Sequence, residues 1–570
     1  YMKTFLTILI TSLITAVVCF AVLRPVDKDE ITYDDVQTAQ KLLDLQFTPQ
    51  EIDTMLEDLN GNVKSYRLMH QYDLKNETPP ALLFNPIPAG FTMDTLKVAN
   101  TWDIPEDTSL PVNRNELAFY SLMELASLLK TRKITSVELT RFYLNRIKRY
   151  DDSLKSVITL TEELALRQAA RADEEISQGL YRGPLHGIPY GVKDLLAVEG
   201  YKTTWGSNTH KDQVLNETAT VVKKLEEAGA VLVAKLSSGA LARGDVWFGG
   251  TTKNPWDLEQ GASGSSAGSA SATAAGLVAF SIGTETMGSI TSPSARCGLT
   301  GLRPTFGRVS RAGVMTLSWS LDKVGPICRS AEDCAIVFDA IHGRDEKDPT
   351  TVALPYTYDG QVDLSRLKIA YLDEAFEKDS SNLNNAPTLD VLRSLGADLQ
   401  PISLPDSSIL PVRALSLIMY AEAGAAFDDL TRYNLDDAMV KQDESARPNA
   451  LRQSRFIPAV EYVMANRYRY QLIQEMNKLM EKTDVIVAPS RGSQQLLITN
   501  MTGHPVVVVP IGFDDKGRPQ SITFIGKLYD EATLLEVAKA FQEATEHEEQ
   551  HPELFISKEV EDMQVSASLE

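Results

Sequence analysis

The sequence predicts an α/β protein in which strands and helices alternate along one large domain. Three observations predict this class: short apolar segments rich in Val, Ile and Ala recur along the chain, amphipathic segments separate them, and capping patterns mark several helix starts. The 570 residues are 43% hydrophobic and 23% charged, which is ordinary globular composition. We therefore expect a folded chain with a large core.

The N-terminal segment predicts export. Residues 5–23 form an apolar run broken only by Thr and Ser, and Arg24 and Pro25 end it. This pattern is typical of a signal peptide, with Cys19–Phe20–Ala21 as a mediocre cleavage site, or of one membrane anchor. We therefore expect residues 1–24 to be an export signal or an anchor. The predicted location is periplasmic or extracellular, or membrane-anchored through residues 2–24.

Residues 25–112 are predicted to form a helical extension followed by a proline-rich strap. The pattern from Ile31 to Leu74 is helical, and Thr48–Pro49–Gln50–Glu51 is a capping box with proline at the first helical position. Six prolines lie between Thr78 and Pro111 without a clear period, which indicates an extended strap or a linker.

Residues 113–548 are predicted to form the main domain. Ser121–Glu124 and Thr135–Glu138 are capping boxes that open amphipathic helices, and further helices are expected over Thr218–Ala228 and Asp530–Thr545. The expected strands lie in the segments GIPYGVKDLL, AVLVAKL, LVAFSIGTE, KIAYLD, DVIVAPS and HPVVVVPIGF. Alternation of this kind predicts a sheet covered by helices on both faces. Residues 549–570 are expected to be an acidic tail.

Charge and cysteine content argue against a nucleic-acid partner, a disulfide framework and a zinc site. A net charge of -21 argues against a nucleic-acid partner, because phosphate binding needs clustered Lys and Arg. The four cysteines form no disulfide framework, and no Cys/His spacing resembles a zinc site. We therefore predict no metal and no cofactor, with the oligomeric state left open.

One stretch, GASGSSAGSASATAAGLVAFSIGTETMGS from Gly261 to Ser289, is unusually rich in small residues. A flexible linker is one explanation of such composition. The apolar run LVAFSI argues against it, because it is typical of a buried strand. Small residues from Gly268 to Ala275 would instead let a helix approach its neighbours closely.

Two serines at turns in this stretch, Ser265 and Ser289, raise the question of nucleophilic catalysis. A serine hydroxyl needs a base to remove its proton, and no histidine has an obvious place near these segments. Lys193, which closes an expected strand, would serve if burial lowered its pKa. Taken alone, a lysine beside Asp194 is more often part of a surface ion pair.

Further motifs carry a resemblance to a known family. GSSAGSASATAAGL and SIGTETMGSITSPSARCGLTGLRPTFGRVS resemble the signature of the amidase signature family, and LHGIPYGVKD, TDVIVAPS, NMTGHPVVVVPIGFDDKGRP and IGKLYDEATLLEVAKAFQEAT are similar to family segments in family order. The resemblance covers roughly residues 117–545. It implies a large twisted mixed β-sheet flanked by helices on both faces.

The resemblance also implies roles for residues. Ser289 matches the family's nucleophile, Ser265 the bridging serine that follows a cis peptide bond from Gly264, and Lys193 the base. Catalysis would use Lys193, Ser265 and Ser289, with an oxyanion hole formed by the backbone N–H groups of Thr286, Met287, Gly288 and Ser289.

Other positions of the motif are given supporting or structural roles. Ser266 is expected to orient the turn, and Glu285 to support the oxyanion turn. Cys297 is interpreted as buried packing and His504 as structural.

Three positions depart from the family pattern. Met287 replaces a glycine, Glu285 replaces an aspartate, and Thr291 stands where an arginine usually follows. Methionine would cost about 1–2 kcal/mol if that position needs a positive φ. Changing the acidic and the basic position together indicates either a coordinated replacement or decay of the site.

These motifs lead to three functional hypotheses. The first is an exported serine amidase that hydrolyses a carboxamide, or an amide-linked small molecule or peptide, through an acyl-enzyme on Ser289. The alternative is a non-catalytic binding protein that keeps the fold. A glutamine-dependent tRNA amidotransferase A-type subunit is ranked below both, because of the export segment and the acidity. The substrate pocket is expected within residues 358–475, in loops whose sequence does not reveal the substrate.

Overall fold

The computed structural model describes residues 30–69, 71, 75, 76, 78, 80–88, 91, 92, 100–379, 384–405 and 408–556. The chain divides into two compact units between Lys75 and Asn76. The predicted export segment, residues 1–24, and most of the predicted acidic tail lie outside the described residues. The predicted domain boundaries after residues 24, 112 and 548 stay predictions.

The first unit is helical in its described part. It contains helix α1 (Tyr33–Ala39), a 3₁₀ turn (Gln40–Leu43) and helix α2 (Pro49–Met69). The predicted capping box at the start of α2 is confirmed: the Thr48 N–H donates to Glu51 Oε2 at 2.7 Å, and the Glu51 N–H donates to Thr48 Oγ1 at 3.4 Å.

The second unit contains helices throughout its length. They are α3 (Leu122–Lys130), α4 (Ser136–Leu154), α5 (Glu162–Ser177), α6 (Thr220–Glu227), α7 (Ala267–Ala274), α8 (Thr291–Cys297), α9 (Ala331–Ile341), α10 (Asp373–Lys378), α11 (Asn385–Ser394), α12 (Ser416–Ala426), α13 (Asp428–Arg432), α14 (Arg447–Ser454), α15 (Ala459–Met480), α16 (Gln495–Thr502) and α17 (Glu531–Glu543). The capping boxes predicted at Ser121 and Thr135 open α3 and α4.

Short 3₁₀ helices connect several of these elements. They lie at Arg114–Phe119, Asn208–His210, Leu364–Arg366, Val412–Leu415, Leu435–Ala438, His547–Glu549 and Glu553–Phe555.

The strands of the second unit build one large sheet and two small hairpins. They are β1 (Val157–Leu160), β2 (Pro189–Lys193), β3 (Val231–Leu236), β4 (Val246–Trp247), β5 (Gly250–Thr251), β6 (Lys253–Asn254), β7 (Asp257–Gly261), β8 (Phe280–Glu285), β9 (Thr300–Arg303), β10 (Lys323–Cys328), β11 (Ile369–Leu372), β12 (Leu399–Ile402), β13 (Val485–Pro489), β14 (Val506–Phe513) and β15 (Pro519–Gly526).

The large sheet has 11 strands in the order β1-β3-β2-β8-β10-β9-β14-β15-β13-β11-β12, and β4-β5 and β6-β7 form the hairpins. Strand pairs near both ends of the sheet are parallel, as in β3-β2-β8 and β13-β11-β12, whereas the pairs from β8 to β13 are antiparallel. The predicted mixed sheet with flanking helices is thereby confirmed.

All six segments predicted to be strands contain one, but the sequence analysis missed others, among them β1, β9, β10, β12 and β15. Four of these contain a glycine or proline that weakens a strand pattern: Gly301 in β9, Gly325 and Pro326 in β10, Pro401 in β12, and Pro519 and Gly526 in β15. Their pairing with neighbours in the sheet overrides local propensity.

Small residues bring helix α7 against the sheet. A Cβ added to Gly268 would lie 2.3 Å from Ser156 O and 2.3 Å from Ser237 N, so no larger side chain fits there. The interpretation of this stretch as a buried helix and strand is confirmed, and the linker interpretation is wrong. Because β2 and β8 are parallel neighbours, their carboxyl ends, Lys193 and Glu285, lie at the same edge of the sheet.

Candidate active site

Lys193, the last residue of β2, lies in a closed polar environment. Its side chain is fully buried, and Nζ donates to Ser265 Oγ at 2.7 Å and to Thr284 Oγ1 at 2.9 Å. Burial lowers the pKa of Lys193 well below its ordinary value, against the opposing effect of the charges on Asp322 and Glu285. The lysine is therefore poised to be neutral, and it contacts one of the two serines predicted with it.

The turn that carries Ser265 is held mainly by the backbone. The predicted cis peptide bond from Gly264 to Ser265 is present. The Gly239 N–H donates to Ser265 O at 3.3 Å, and a Cβ on Gly264 would lie 1.9 Å from Gly244 O. Close backbone approach therefore explains why this turn is built from small residues.

Ser266 connects this turn to its two neighbours. Its N–H donates to Ser289 O at 3.1 Å, its Oγ donates to Thr284 O at 3.1 Å, and it accepts from the Thr284 N–H at 3.1 Å. These bonds join the Ser265 turn, the Ser289 turn and the end of β8, while the orienting role of Ser266 stays a prediction.

The oxyanion turn, defined here as Thr286–Ser289, links β8 to helix α8. Gly288 has a φ of +93°, whereas Met287 is not among the non-glycine residues with positive φ. The strain expected at Met287 depended on a positive φ, and the residue does not have one, so this strain is absent. Within the described residues, the backbone N–H groups of this turn donate no hydrogen bond to another residue. They remain available to an acceptor outside the protein.

Glu285 anchors the start of the turn and of helix α8. Its Oε2 accepts from the backbone N–H groups of Ile290 and Thr291, both at 3.0 Å, and from Thr291 Oγ1 at 3.1 Å. Its Oε1 accepts from Arg303 Nη1 at 2.8 Å and from Asn500 Nδ2 at 2.9 Å. The two altered positions, Glu285 and Thr291, are hydrogen-bonded to each other, which favours a coordinated replacement over decay.

The charge on Glu285 is stabilised in spite of its burial. Burial alone would raise the pKa of this carboxyl, but the positive charge of Arg303, with the hydrogen bonds from Thr291 and Asn500, lowers it to about 2. Both partners of the Glu285–Arg303 ion pair are fully buried. Glu285 is therefore ionised at neutral pH.

Asp322 is a supporting residue that the sequence analysis missed. Its Oδ1 accepts from Thr286 Oγ1 at 2.6 Å, and its Oδ2 accepts from the backbone N–H groups of Leu317 and Ser318 at 2.8 and 3.0 Å. The carboxylate thus ties the oxyanion turn to the loop before β10. No local motif marks this residue, because the contact joins positions far apart in the sequence.

Two residues of the motif have the structural character expected of them. Cys297 is a free, buried thiol whose pKa is raised by burial. His504 is buried, and its Nδ1 lies 2.7 Å from Thr502 Oγ1 while its carbonyl accepts from Arg303 Nη2 at 2.9 Å. Within the described part of the chain, no cluster of three or more His, Cys, Asp or Glu side chains is arranged to hold a metal ion.

Comparison with known proteins identifies the family. A family model described as Amidase matches residues 138–535. The chain belongs to the amidase signature family. The native peptide amidase from Stenotrophomonas maltophilia is 30% identical to this amidase, with a TM-score of 0.68 over 76% of this chain and 98% of that one.

Curated relatives add further similarity. The A subunit of glutamyl-tRNA(Gln) amidotransferase from Carboxydothermus hydrogenoformans is 32% identical over 77% of this chain and 100% of the relative. Its counterpart from Methylococcus capsulatus is 35% identical over 75% of this chain and 97% of the relative. Together with the solved amidase, these relatives make the chain an amidase-type hydrolase, and the alternative of a non-catalytic binding protein loses its support.

The comparisons also overturn three predictions. Ranking an exported amidase above an amidotransferase A-type subunit is wrong, because the curated relatives matched over nearly their whole length are A subunits of that amidotransferase. The predictions of export and of no nucleic-acid partner are corrected with it. The charge argument failed because a net charge sums the whole surface and says little about one binding face.

The apolar segment that suggested export, residues 5–23, lies outside the described residues. Among the helices that the structure describes, none combines the length and the apolar character needed to cross a bilayer.

Proposed function

We propose that this amidase hydrolyses the side-chain amide of glutamine and supplies the ammonia as the A-type component of a glutamyl-tRNA(Gln) amidotransferase. The observation that carries the proposal is the match to the curated A subunits over 97–100% of their length. In this proposal the chain works with partner proteins and with glutamyl-tRNA(Gln), which receives the ammonia.

The proposed relay begins at the buried lysine. Neutral Lys193 accepts the proton of Ser265, to which it is hydrogen-bonded at 2.7 Å, while Ser265 accepts the proton of Ser289. Ser289 Oγ then attacks the amide carbonyl, and a C–O bond forms. Two observations support this order of proton transfers. The pKa of Lys193 is lowered, and a backbone hydrogen bond between Ser266 and Ser289 holds the two turns together.

The proposed oxyanion hole stabilises the tetrahedral intermediate. Its donors are the backbone N–H groups of Thr286, Met287, Gly288 and Ser289, which have no acceptor among the described residues. When the C–N bond breaks, the proton returns through Ser265 to the leaving nitrogen, and ammonia is released. Water then attacks the acyl-enzyme through the same relay and yields glutamate. Removing one such donor in other enzymes costs about 100-fold or more in rate.

The test measures ammonia released from glutamine, with and without the other amidotransferase subunits from an organism that encodes a curated relative. We expect the wild type to release ammonia, and Ser289→Ala to lose at least about 10⁴-fold of that rate. Ser177→Ala, at the exposed last residue of helix α5, is the matched control and keeps the wild-type rate. When the other subunits and glutamyl-tRNA(Gln) are present, the product should include glutaminyl-tRNA. Hydrolysis of other carboxamides with no activity on glutamine would overturn the proposal.

A further inference from the structure

Asp194, the residue after Lys193, belongs to a buried ion pair that takes no part in the proposed relay. Its Oδ1 lies 2.7 Å from Lys235 Nζ, and both side chains are fully buried. Its Oδ2 accepts from the backbone N–H of Thr204 at 2.8 Å and from Thr204 Oγ1 at 2.5 Å. Removing two charges from water is costly, and a buried ion pair often adds little net stability. Stability alone therefore does not explain a pair in this position.

The pair fastens the end of strand β2 to two other segments. Asp194 directly follows β2, and Lys235 lies in the neighbouring strand β3. Lys235 Nζ also donates to Lys202 O at 2.6 Å and to Thr203 Oγ1 at 2.5 Å. The end of β2, strand β3 and the loop of residues 202–206 are therefore held together through one ion pair. We call this segment the 202–206 loop.

The 202–206 loop in turn supports the segment that holds the Ser265 turn. The Leu241 N–H donates to Trp205 O at 2.9 Å. Two residues earlier in the chain, the Gly239 N–H donates to Ser265 O at 3.3 Å. A continuous series of contacts therefore runs from the ion pair beside Lys193 to the serine that Lys193 contacts.

The pair also balances the charge next to the base. Lys235 is paired in the sheet with the residue before Lys193, so the two lysine side chains point to opposite faces of the sheet. Burial lowers the pKa of Lys235, and the charge of Asp194 opposes that effect. The charges that raise the pKa of Lys193 belong to Asp322 and Glu285. Asp194 is closer to Lys193 in the chain than either of them, but Lys235 balances its charge.

We propose that Asp194 and Lys235 are positioning residues: their ion pair sets Lys193 against Ser265 and keeps the charge beside the base balanced. The inference rests on the proposed function insofar as Lys193 is the base of the relay. It goes beyond that function by giving a role to two residues that do not touch the reacting atoms. A misplacement of about 1 Å between reacting groups can cost about 100-fold in rate, so such support has a measurable effect.

The experiment follows the labelling of Ser289 by a fluorophosphonate, measured by intact mass on the whole chain over a range of pH. The amplitude counts folded sites, the rate constant reports the reactivity of each site, and the inflection of the pH profile reports the pKa of Lys193. In Lys235→Met we expect the rate constant at neutral pH to fall about 10- to 100-fold. The inflection should move up by about 0.5–1 pH unit, because the unbalanced charge of Asp194 favours protonated Lys193.

Two further variants and a control separate charge from packing. Asp194→Asn breaks the same pair without leaving a negative charge, so its rate constant should fall while its inflection does not move up. The double variant Lys235→Met/Asp194→Asn should return the inflection to that of the wild type, although its rate constant stays low. Glu531→Gln is the matched control, because it breaks the equally buried ion pair of Arg308 and Glu531. This control should keep the wild-type rate constant and inflection.

The possible results distinguish positioning from a purely structural role. A lower amplitude in Lys235→Met, with the rate constant and inflection of the wild type, would overturn the proposal. An upward shift in Asp194→Asn as well would overturn the charge balance. Labelling of the wild type without hydrolysis of glutamine would overturn the proposed function and leave the positioning role standing. If Lys235→Met does not fold, Asp194→Asn and the double variant decide, and wild-type rate constants in both would overturn the proposal.

Discussion

The turn of Ser265 and the turn of Ser289 are held in different ways. Around Ser265, small residues let backbone approach backbone, and Gly264 and Gly268 leave no room for a Cβ. Around Ser289, the shape depends on charged side chains instead: Glu285 bridges Arg303 and the start of helix α8, and Asp322 holds Thr286.

This difference indicates where the site tolerates change. A turn built from small residues and backbone contacts has few alternatives. A turn held by side chains can be rebuilt if the partners change together, as Glu285 and Thr291 have done. Substituting the residues that contact the two turns should therefore have different main effects: loss of Lys193 beside Ser265 should mainly lower the rate, whereas loss of Glu285 beside the Ser289 turn should mainly lower stability.

Among substitutions that leave Ser289 in place, the largest effect is expected from removing Lys193, the proposed base beside Ser265. Lys193→Ala should lower the rate of acylation by about 10³-fold or more while the fold persists, because no other base among the described residues contacts Ser265 Oγ. Lys193→Arg should not restore activity, since a guanidinium stays protonated. Intact-mass measurement of labelling at Ser289 by a fluorophosphonate checks both variants. Labelling of Lys193→Ala at the wild-type rate would contradict the relay.

The pH profile is expected to report the same lysine. Because only neutral Lys193 accepts a proton, kcat/KM should rise with pH through its lowered pKa and then level off, falling about tenfold per pH unit below it. The charge on Asp322 raises that pKa, so Asp322→Asn should move the inflection to lower pH. An inflection that moves to higher pH in this variant would assign the titration to another group.

Next in size is the loss of the buried ion pair at the Ser289 turn. Glu285→Ala leaves Arg303 buried without its carboxylate, which should reduce the free energy of unfolding by about 3–5 kcal/mol. Glu285→Gln, which keeps an acceptor but no charge, should lose less. Urea unfolding of the three proteins gives the comparison. A loss below about 1 kcal/mol in Glu285→Ala would show that the turn does not depend on this pair.

The sequence predicted the Ser265 turn better than the Ser289 turn, for a physical reason. A close backbone approach requires glycine, alanine and serine, and a run of these residues is visible in the sequence. The resemblance to the family then singled out Lys193, Ser265 and Ser289 as candidates. Asp322 and Arg303 reach the second turn from other strands and loops, and long-range contacts leave no local pattern. The missed strands β9 and β10 belong to the same region.

A smaller effect on stability and kcat is expected from removing the Thr286 hydroxyl, which donates to the buried carboxylate of Asp322. Thr286→Val removes the hydrogen bond to Asp322, which should cost about 1–3 kcal/mol of stability and lower kcat about tenfold by loosening the oxyanion turn. Thr286→Ser keeps the hydroxyl and should retain most of both. Thermal unfolding and steady-state kinetics measure the two effects. Equal stability and equal kcat in Thr286→Val and Thr286→Ser would show that the hydrogen bond to Asp322 does not support the turn.

The smallest effect is expected at Met287, one of the three residues that depart from the family pattern. Its half-buried side chain packs against an apolar cluster that includes Leu321, Ile498 and Met501. Met287→Gly gives up this packing and adds backbone freedom, which together should cost about 2 kcal/mol.

Because Met287 does not adopt a positive φ, glycine relieves no strain there, and kcat/KM should change by less than about tenfold. Met287→Leu, which preserves apolar volume, should stay within about 1.5 kcal/mol of the wild type. A gain in activity of more than about tenfold in Met287→Gly would mean that the methionine obstructs the acyl site. In that case the methionine side chain would limit activity at the Ser289 turn, and the turn would not be a neutral replacement of the family sequence.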